Sequence, residues 1–402
     1  MRQHLPPRIQ SVDIYGGDQR LGVLTQGAHF TFQPSDPKRS PSLTMSTTDL
    51  APINAGAMPA VFSQNLPEGF NRRFIAERLA RYARVNDMYL LALQRDQGIG
   101  WLNFDSDLVI PPAGHTSLTD ILTYSSAEPL FPQLLEKYYL SNLLSGVQPK
   151  VSLPSTGRSV EQPDLIVKCA DPEFELLTVN EYVCMQAAAY CGLAPPKTYL
   201  SDSRETFVVE RFDRLGGERW GFEDFTTLMR RSNDPDAKYL GSYESVLRAT
   251  VLYSQDNAAA EAMYQQIAFN CLIGNGDAHL KNFGLQYAPD RSSIQVAPPF
   301  DITHTLIYPT LDNAMALKMS GDKAFPDQPT LLRLAAGCEV RIREPDKVLE
   351  RLASGILEYC ENSDEIDEQA GLKQSISRSV DHVMARRPTR TPFRHSKRRK
   401  HP

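Results

Sequence analysis

The hydrophobic pattern of this chain changes its period near residue 220, and this change limits the folds that are open to it. Upstream, the short apolar runs are typical of β-strands, with helical segments between them. Downstream, apolar residues recur mainly at helical spacing, as in the run that follows Pro345. A strand-rich part followed by a helical part predicts a mixed α/β (α+β) chain with two lobes.

The first 110 residues are predicted to form a small α+β subdomain of their own. Apolar residues alternate with polar ones over residues 12–24, and the Gly-Gly-Asp at 16–18 interrupts them, which indicates a β-hairpin. A second strand is expected at 30–32, and the apolar spacing over 72–94 predicts a helix. The Pro-Pro-Ala-Gly at 111–114 then begins a looser connection, where we place the boundary.

The middle of the chain combines strands with one helix. Short strands are predicted at 151–153, 164–168 and 207–212, with a helix at about 177–191 that Gly192 would end. We therefore expect a strand-rich lobe with its linker over residues 111–214 and a helical lobe over 215–385.

The net charge of −5 conceals a basic tail. Residues 386–402 contain eight Lys or Arg and no acidic residue, so subtracting these eight charges leaves −13 on the other 385 residues. Three prolines and few apolar residues predict that this tail is disordered. It is either a solvated end without function or an electrostatic contact for nucleic acid or an acidic partner.

Several classes of protein are excluded by composition. With 41% hydrophobic residues the chain is not wholly disordered. No apolar run reaches the ~18 residues of a membrane span, and the N-terminus has no signal-peptide core, so we expect a cytoplasmic protein without membrane contact. The six cysteines form no C-x-x-C pair and are interpreted as small buried apolar residues in a reducing compartment.

The segment 273–284 carries the strongest indication of chemistry. Asp277 and Asn282 within it have the D-x-x-x-x-N spacing of a kinase catalytic loop, and Asp301 follows in an apolar context. In phosphoryl transfer one carboxylate holds the acceptor hydroxyl, whereas a carboxamide and a second carboxylate hold Mg²⁺. Lys168, at the end of a predicted strand, suits the phosphates, and Glu181 on the next helix could pair with it.

Five segments, in order, resemble the HipA family of serine/threonine kinases, the toxins of bacterial toxin–antitoxin pairs. G-N-G-D-A-H-L-K-N-F-G at 274–284, followed by P-F-D-I-T-H-T, is similar to its catalytic core. The others resemble an N-terminal motif, the glycine-containing loop, the ATP-binding lysine strand and the hinge, at 65–69, 145–150, 164–168 and 209–214. The family resemblance implies a bilobal protein-kinase-like fold with an additional N-terminal subdomain.

Carried over position by position, the resemblance assigns a role to each matching residue. Asp277 would be the catalytic aspartate, with Asn282 and Asp301 on Mg²⁺. At the phosphates, the resemblance places Lys168 together with Gly146 and Lys150 of the glycine-containing loop. At the adenine it places Glu210 and Phe212. Asp213 would lie close to the ribose, and His279 near the nucleotide. Self-inactivation by autophosphorylation would fall on Ser145 or Ser141, which the sequence does not distinguish.

The resemblance also implies a biological role. The chain would be an ATP- and Mg²⁺-dependent toxin that phosphorylates a translation component such as glutamyl-tRNA synthetase. A HipB-like helix-turn-helix antitoxin would bind it and carry it to operator DNA. A small-molecule kinase and a non-catalytic subunit of the antitoxin–DNA complex stay open, and a metal hydrolase using Asp277, His279, Asp301 and His304 is disfavoured because no H-E-x-x-H is present.

Overall fold

The computed structural model describes residues 5–80, 82–108, 116–126, 130, 133–134, 150–153, 165–170, 173–231, 234–337 and 341–386. The chain divides into two compact units. The first comprises Met1–Thr178, Pro196–Lys238 and Gly284–Ala297, and the second comprises Val179–Pro195, Tyr239–Phe283 and Pro298–Pro402. Ser141, Ser145, Gly146 and the basic tail beyond Arg386 lie outside the described residues.

A five-stranded antiparallel sheet begins the first unit. Its strands are β1 (Ser11–Gly16), β2 (Gln19–Gln26), β3 (Phe30–Pro34), β4 (Ile53–Ala55) and β5 (Leu102–Asp105), in the order β4-β3-β2-β1-β5. Val12 and Ile14 are fully buried, whereas their neighbours are half-buried or exposed. The predicted hairpin and the strand after it are confirmed, because the alternation of apolar residues places one face of the sheet in the core.

The helices of this region are shorter than the sequence predicts. They are α1 (Ala60–Ser63), α2 (Gly69–Leu79), α3 (Asp87–Gln94) and α4 (Leu118–Leu122). The single helix predicted over 72–94 is wrong, because the chain starts a new helix after Asn86, whose side chain accepts a hydrogen bond from the backbone N–H of Tyr89. Every described side chain of α3 from Met88 to Gln94 is buried.

A four-stranded antiparallel sheet follows in the first unit. It contains β6 (Lys150–Leu153), β7 (Leu165–Cys169), β8 (Thr198–Leu200) and β9 (Thr206–Glu210), in the order β6-β7-β9-β8. The helix α5 (Leu177–Tyr190) separates β7 from β8 along the chain, and Gly192 follows it at a φ of +78°. These elements confirm the strands and the helix predicted for the middle of the chain.

Two further small sheets lie in the first unit, within the part of the chain predicted to be mainly helical. They contain β10 (Arg214–Leu215), β11 (Glu218–Arg219), β12 (Gly221–Asp224), β13 (Gly284–Tyr287) and β14 (Ile294–Val296). The first unit includes residues 196–238 and 284–297, and the predicted lobe boundary between residues 214 and 215 stays a prediction. The pairing of β12 with β13 depends on glycine, because a Cβ atom on Gly284 would lie 2.4 Å from the Phe222 ring.

Helices make up most of the second unit. After α6 (Phe225–Leu228) in the first unit come α7 (Tyr243–Ser254), α8 (Asn257–Ile273), α9 (Gln328–Gly337), α10 (Pro345–Asn362) and α11 (Leu372–Val383). Short 3₁₀ turns occur at Pro235–Tyr239, Leu280–Asn282, Thr305–Ile307 and Glu365–Glu368. Pro345 opens α10 as predicted. Across the described residues, the helices are all too short or too polar to cross a lipid bilayer.

Candidate active site

The catalytic-type loop starts where α8 ends. Gly274 follows the helix at a φ of +79°, and its backbone N–H donates to the carbonyls of Asn270 and Cys271. A Cβ atom at this position would lie 2.7 Å from Nδ1 of the buried His304. Both the left-handed backbone and the lack of space require glycine here, so the direction in which the loop leaves the helix is defined.

Asp277 is an exposed carboxylate on a tightly held backbone. Its N–H donates to Oδ1 of Asn275 over 3.0 Å, and Asn275 in turn donates through Nδ2 to Asn270 over 2.7 Å. The N–H of Gly276 donates to the hydroxyl of Thr305 over 2.7 Å. Because its backbone is anchored on both sides, the loop can present the carboxylate with little reorganisation, which is what catalysis by positioning needs.

Tyr239 is a residue of this site that sequence reasoning missed. Its hydroxyl donates to Oδ1 of Asp277 over a long 3.4 Å, and the edge of its ring faces His279 with the two centroids 5.4 Å apart. The tyrosine lies 38 positions before Asp277 in a 3₁₀ turn. No local motif marks it, so only the tertiary contact identifies it.

Asn282 and Asp301 are brought together as the sequence predicts. The Nδ2 of Asn282 lies 3.4 Å from the carbonyl oxygen of Asp301, and its N–H donates to the carbonyl of His279 over 2.9 Å. Its Oδ1 is buried and accepts no hydrogen bond from the described residues. Asp301 itself has a φ of +54°, a strained backbone conformation that is frequent at functional sites.

These two side chains fit a cation that needs few protein ligands. Mg²⁺ takes oxygen ligands and is held by one or two carboxylates or amides together with substrate phosphates. The buried carboxamide oxygen of Asn282, which has no donor from the described residues, lies in a side chain that contacts the backbone of Asp301, so the two residues offer such a pair. In the described part of the chain, no group of three or more His, Cys, Asp or Glu side chains is placed to hold a metal by itself.

His304 has a structural position beneath the loop. It is fully buried; Nδ1 lies 2.6 Å from the carbonyl oxygen of Ile273, and Nε2 lies 2.7 Å from the hydroxyl of Ser375. Burial lowers the pKa of this imidazole to about 4, against the opposing effect of the Ile273 carbonyl. Both ring nitrogens are occupied, so His304 is not available as the metal ligand of the hydrolase alternative.

Lys168 lies on β7 in the first unit. Its side chain is buried, with Nζ 5.8 Å from the centroid of the Phe207 ring, within the range of a cation–π contact. Lys150 is opposite Lys168 in the register of the antiparallel pair β6–β7. Glu181, the predicted partner of Lys168, is buried on the part of α5 that belongs to the second unit.

The predicted hinge at 209–214 begins in the last two residues of β9. Glu210 ends that strand, and its Oε1 accepts a hydrogen bond from the hydroxyl of Tyr199 over 2.6 Å. Burial and this carboxylate raise the pKa of Tyr199 to about 12, which keeps the phenol protonated as the donor. Phe212 is buried with its ring edge against Phe222, the centroids 5.2 Å apart.

The carboxylate of Asp213, expected close to a ribose, is completely buried and engaged by protein donors. It accepts hydrogen bonds from Arg211, from Arg214 and from the backbone N–H of Gly100. Burial by itself would raise the pKa of Asp213, but the two guanidinium groups outweigh it and lower the pKa below its ordinary value. Asp213 is therefore held as a charged, structural group.

Family comparisons agree with the order of these elements. The HipA-like C-terminal domain matches residues 143–360, and the HipA N-terminal domain matches residues 12–105. The first match covers more than half of the chain and includes the loop, the hinge and β7. The chain belongs to the HipA family. The match to the N-terminal domain ends with β5, where the first five-stranded sheet ends.

Individual relatives support this assignment. The "Putative kinase Y4dM" of Sinorhizobium fredii is 27% identical over 83% of this chain and 87% of its own length. The serine/threonine-protein kinase toxin HipA of Shewanella oneidensis is 25% identical over 48% of this chain and 50% of its own length. A chain of the solved complex of Shewanella oneidensis MR-1 HipA, HipB and operator DNA superposes on this chain with a TM-score of 0.68 at 18% identity. The superposition covers 92% of this chain and 96% of the chain in the complex.

The membership and the fold predicted from the sequence are thereby confirmed. The solved relative shows that this mixed arrangement of sheets and helices is the HipA architecture, which is a protein-kinase-like α/β fold. The kinase family follows from the family models and the kinase relatives. The roles of the individual site residues stay predictions that the geometry described above makes more specific.

Proposed function

We propose that this chain transfers the γ-phosphate of ATP to a serine or threonine of a protein. The observation that carries the proposal is the arrangement of the loop after α8. An exposed carboxylate, Asp277, is held on an anchored backbone, and the buried Oδ1 of Asn282 lies in the same loop beside Asp301 without a donor from the described residues. Phosphoryl transfer needs this combination of positioning and metal-binding groups.

Each residue has a defined part in the proposed reaction. Asp277 accepts the proton of the attacking hydroxyl or holds that hydroxyl in line, and Tyr239 orients its carboxylate. Lys168 binds the phosphates, and the backbone at Glu210 and Phe212 binds the adenine. Asn282 and Asp301 hold Mg²⁺, which neutralises charge on the phosphate oxygens when it is bound.

The biological role that we propose is growth arrest as a toxin. Its support is family membership and the solved relative, which was crystallised as HipA with HipB and operator DNA. By analogy this chain binds a HipB-like antitoxin and reaches operator DNA through it. Glutamyl-tRNA synthetase is the proposed substrate, and autophosphorylation at Ser145 or Ser141 the proposed shut-off.

Labelling with γ-labelled ATP tests the kinase activity. The purified chain is incubated with Mg²⁺ and a bacterial cell extract, beside the variants Asp277→Ala and Asp381→Ala. Asp381 is an exposed aspartate on α11 and serves as the matched control in the same unit. We expect labelled protein bands with wild type and Asp381→Ala and none with Asp277→Ala.

The other outcomes separate the alternatives. Label that moves only into small molecules supports a small-molecule kinase. Label that persists with Asp277→Ala, or that never appears, contradicts the proposed chemistry and favours a non-catalytic subunit.

Growth of cells that express the chain tests the toxin role. We expect wild type to stop growth, Asp277→Ala to be harmless, and a helix-turn-helix protein encoded beside the gene to restore growth. Purified glutamyl-tRNA synthetase as the acceptor tests the proposed substrate directly. Normal growth with active wild-type kinase would separate the kinase from the toxin role and refute the latter.

A further inference from the structure

A buried ion-pair network surrounds Asp213, which lies in the predicted hinge at 209–214. Arg211 donates to Asp213 through Nε over 2.9 Å and through Nη2 over 2.5 Å, and Arg214 donates to Oδ2 over 2.9 Å. The N–H of Gly100 donates to the same Oδ2 over 2.6 Å. The side chains of Arg211 and Asp213 are 0% and 1% exposed. This geometry is that of a bidentate, desolvated Arg–carboxylate pair.

The network continues into the N-terminal domain, at the 97–101 loop that connects α3 to β5. Arg211 donates to the carbonyls of Gln97 and Gly98, each over 2.8 Å. Arg219, on β11, donates to the carbonyl of Gly100 over 2.9 Å. Gly100 has a φ of +85°, so the loop adopts a backbone that favours glycine at the point where its N–H reaches Asp213.

The carboxylate of Asp213 is enclosed by protein donors and has no exposed surface for a nucleotide. Its two oxygens accept four hydrogen bonds from protein donors, and the residue is fully buried. A ribose hydroxyl could reach it only after the residues that bury it had moved. The residue nevertheless lies one position beyond Phe212, so it constrains the backbone on which the hinge depends.

We propose that Asp213 is a positioning residue through which the 97–101 loop of the N-terminal domain holds the nucleotide hinge in its binding geometry. This inference rests on the proposed kinase function and names how the adenine site is kept in place. The N-terminal domain then supports the nucleotide site indirectly, because its 97–101 loop positions the hinge although none of its residues in this network is proposed to touch ATP.

Equilibrium binding of ATP, 2′-deoxy-ATP and 3′-deoxy-ATP, measured by calorimetry, tests the proposal. The variants are Asp213→Asn, the milder Arg214→Ala and the control Asp13→Asn. Arg214 is partly exposed and contributes one of the four hydrogen bonds, so its loss leaves the Arg211 pair intact. Asp13 also pairs with an arginine, Arg20, in the same unit, but on the exposed face of the first sheet.

We expect Asp213→Asn to weaken binding of all three nucleotides by the same factor, about tenfold. Arg214→Ala should weaken the binding of all three nucleotides by a smaller factor that is again the same for each. Asp13→Asn should leave the three affinities unchanged. A positioning role predicts this uniform loss, because a displaced hinge affects the adenine and not one hydroxyl. Thermal unfolding of each variant, followed in parallel, shows that the measured protein is folded.

Three results would overturn the proposal. If Asp213→Asn weakens the binding of ATP but spares that of the deoxy analogue that lacks one hydroxyl, Asp213 contacts that hydroxyl of the ribose directly. Unchanged affinity in both variants despite a lower melting temperature would show a role in stability alone. If Asp213→Asn does not fold, Arg214→Ala decides by the same criteria, and a wild-type chain that binds no nucleotide refutes the kinase function itself.

Discussion

The burial of His304 predicts how the stability of the folded protein changes with pH. The imidazole is fully buried and its pKa is lowered to about 4 from the ordinary value of 6.5. A folded-state pKa below that of the unfolded chain means that the unfolded chain binds a proton that the folded protein excludes. The contribution of His304 is therefore complete above pH 6.5 and is lost as the pH falls towards 4.

The expected magnitude follows from linkage. Between pH 7.5 and pH 5, the free energy of unfolding should lose about 2 kcal/mol through this residue, at about 1.4 kcal/mol for each pH unit below 6.5. Other groups titrate in the same range, so wild type is compared with His304→Gln, in which those groups are the same. The variant should be less stable at pH 7.5, because Ile273 and Ser375 lose their buried partner.

Urea unfolding at pH 7.5, 6.5, 5.5 and 5.0 measures the difference between the two proteins. We expect the stability advantage of wild type over His304→Gln to shrink by about 2 kcal/mol across this series. Only the difference in the free energy of unfolding between the two proteins is used, because the titration of groups common to both cancels in that difference. An advantage that stays constant from pH 7.5 to pH 5 would refute the assignment of His304 as a buried, neutral imidazole.

Three further substitutions test single contacts. Tyr239→Phe removes the 3.4 Å hydrogen bond to Asp277 and should lower kcat by between about twofold and tenfold with little change in the KM for ATP; an unchanged kcat would contradict it. Asn282→Leu should abolish phosphoryl transfer without lowering the melting temperature. The reason is that it removes a buried carboxamide oxygen, Oδ1, to which no described residue donates a hydrogen bond. A drop of several degrees in the melting temperature would show that this carboxamide is structural. Burial raises the pKa of Glu223 to about 7 from 4.5, so its contribution to stability is full below pH 4.5 and is lost as the pH rises through 7. Glu223→Gln should therefore gain about 2–3 kcal/mol on wild type between pH 5 and pH 8 in urea unfolding, and no relative gain would refute the raised pKa.

Local patterns and the order of motifs were sufficient to predict much of this protein. The strands β1, β2, β7 and β9 and the helices α5 and α10 follow from the spacing of apolar residues, because that spacing reports which face of an element is buried. The sequence placed Asn282 and Asp301 in one site, and the fold brings these two residues into contact. Membership in the HipA family followed from the order of short motifs along the chain.

Long-range contacts account for what the sequence did not predict. The strand β12 pairs with β13 although the two are separated by about 60 residues, and hydrophobic periodicity carries no information about such partners. Tyr239 reaches Asp277 only through the packing of the second unit. The single helix predicted over 72–94 failed because the Asn86 cap restarts the helix, a side-chain contact that apolar spacing does not show.

Asp213 shows most clearly which properties the local sequence determines and which depend on the tertiary structure. The sequence by itself determined the family and many of the strands and helices, and it pointed to most of the residues in the proposed chemistry, because each of these is encoded within a few positions. Three of the hydrogen bonds to Asp213 come from Arg211 and Arg214, its neighbours in sequence, but the fourth comes from the N–H of Gly100, which lies 113 positions away. The local sequence shows that these arginines are near, but only the fold buries the carboxylate and surrounds it with protein donors.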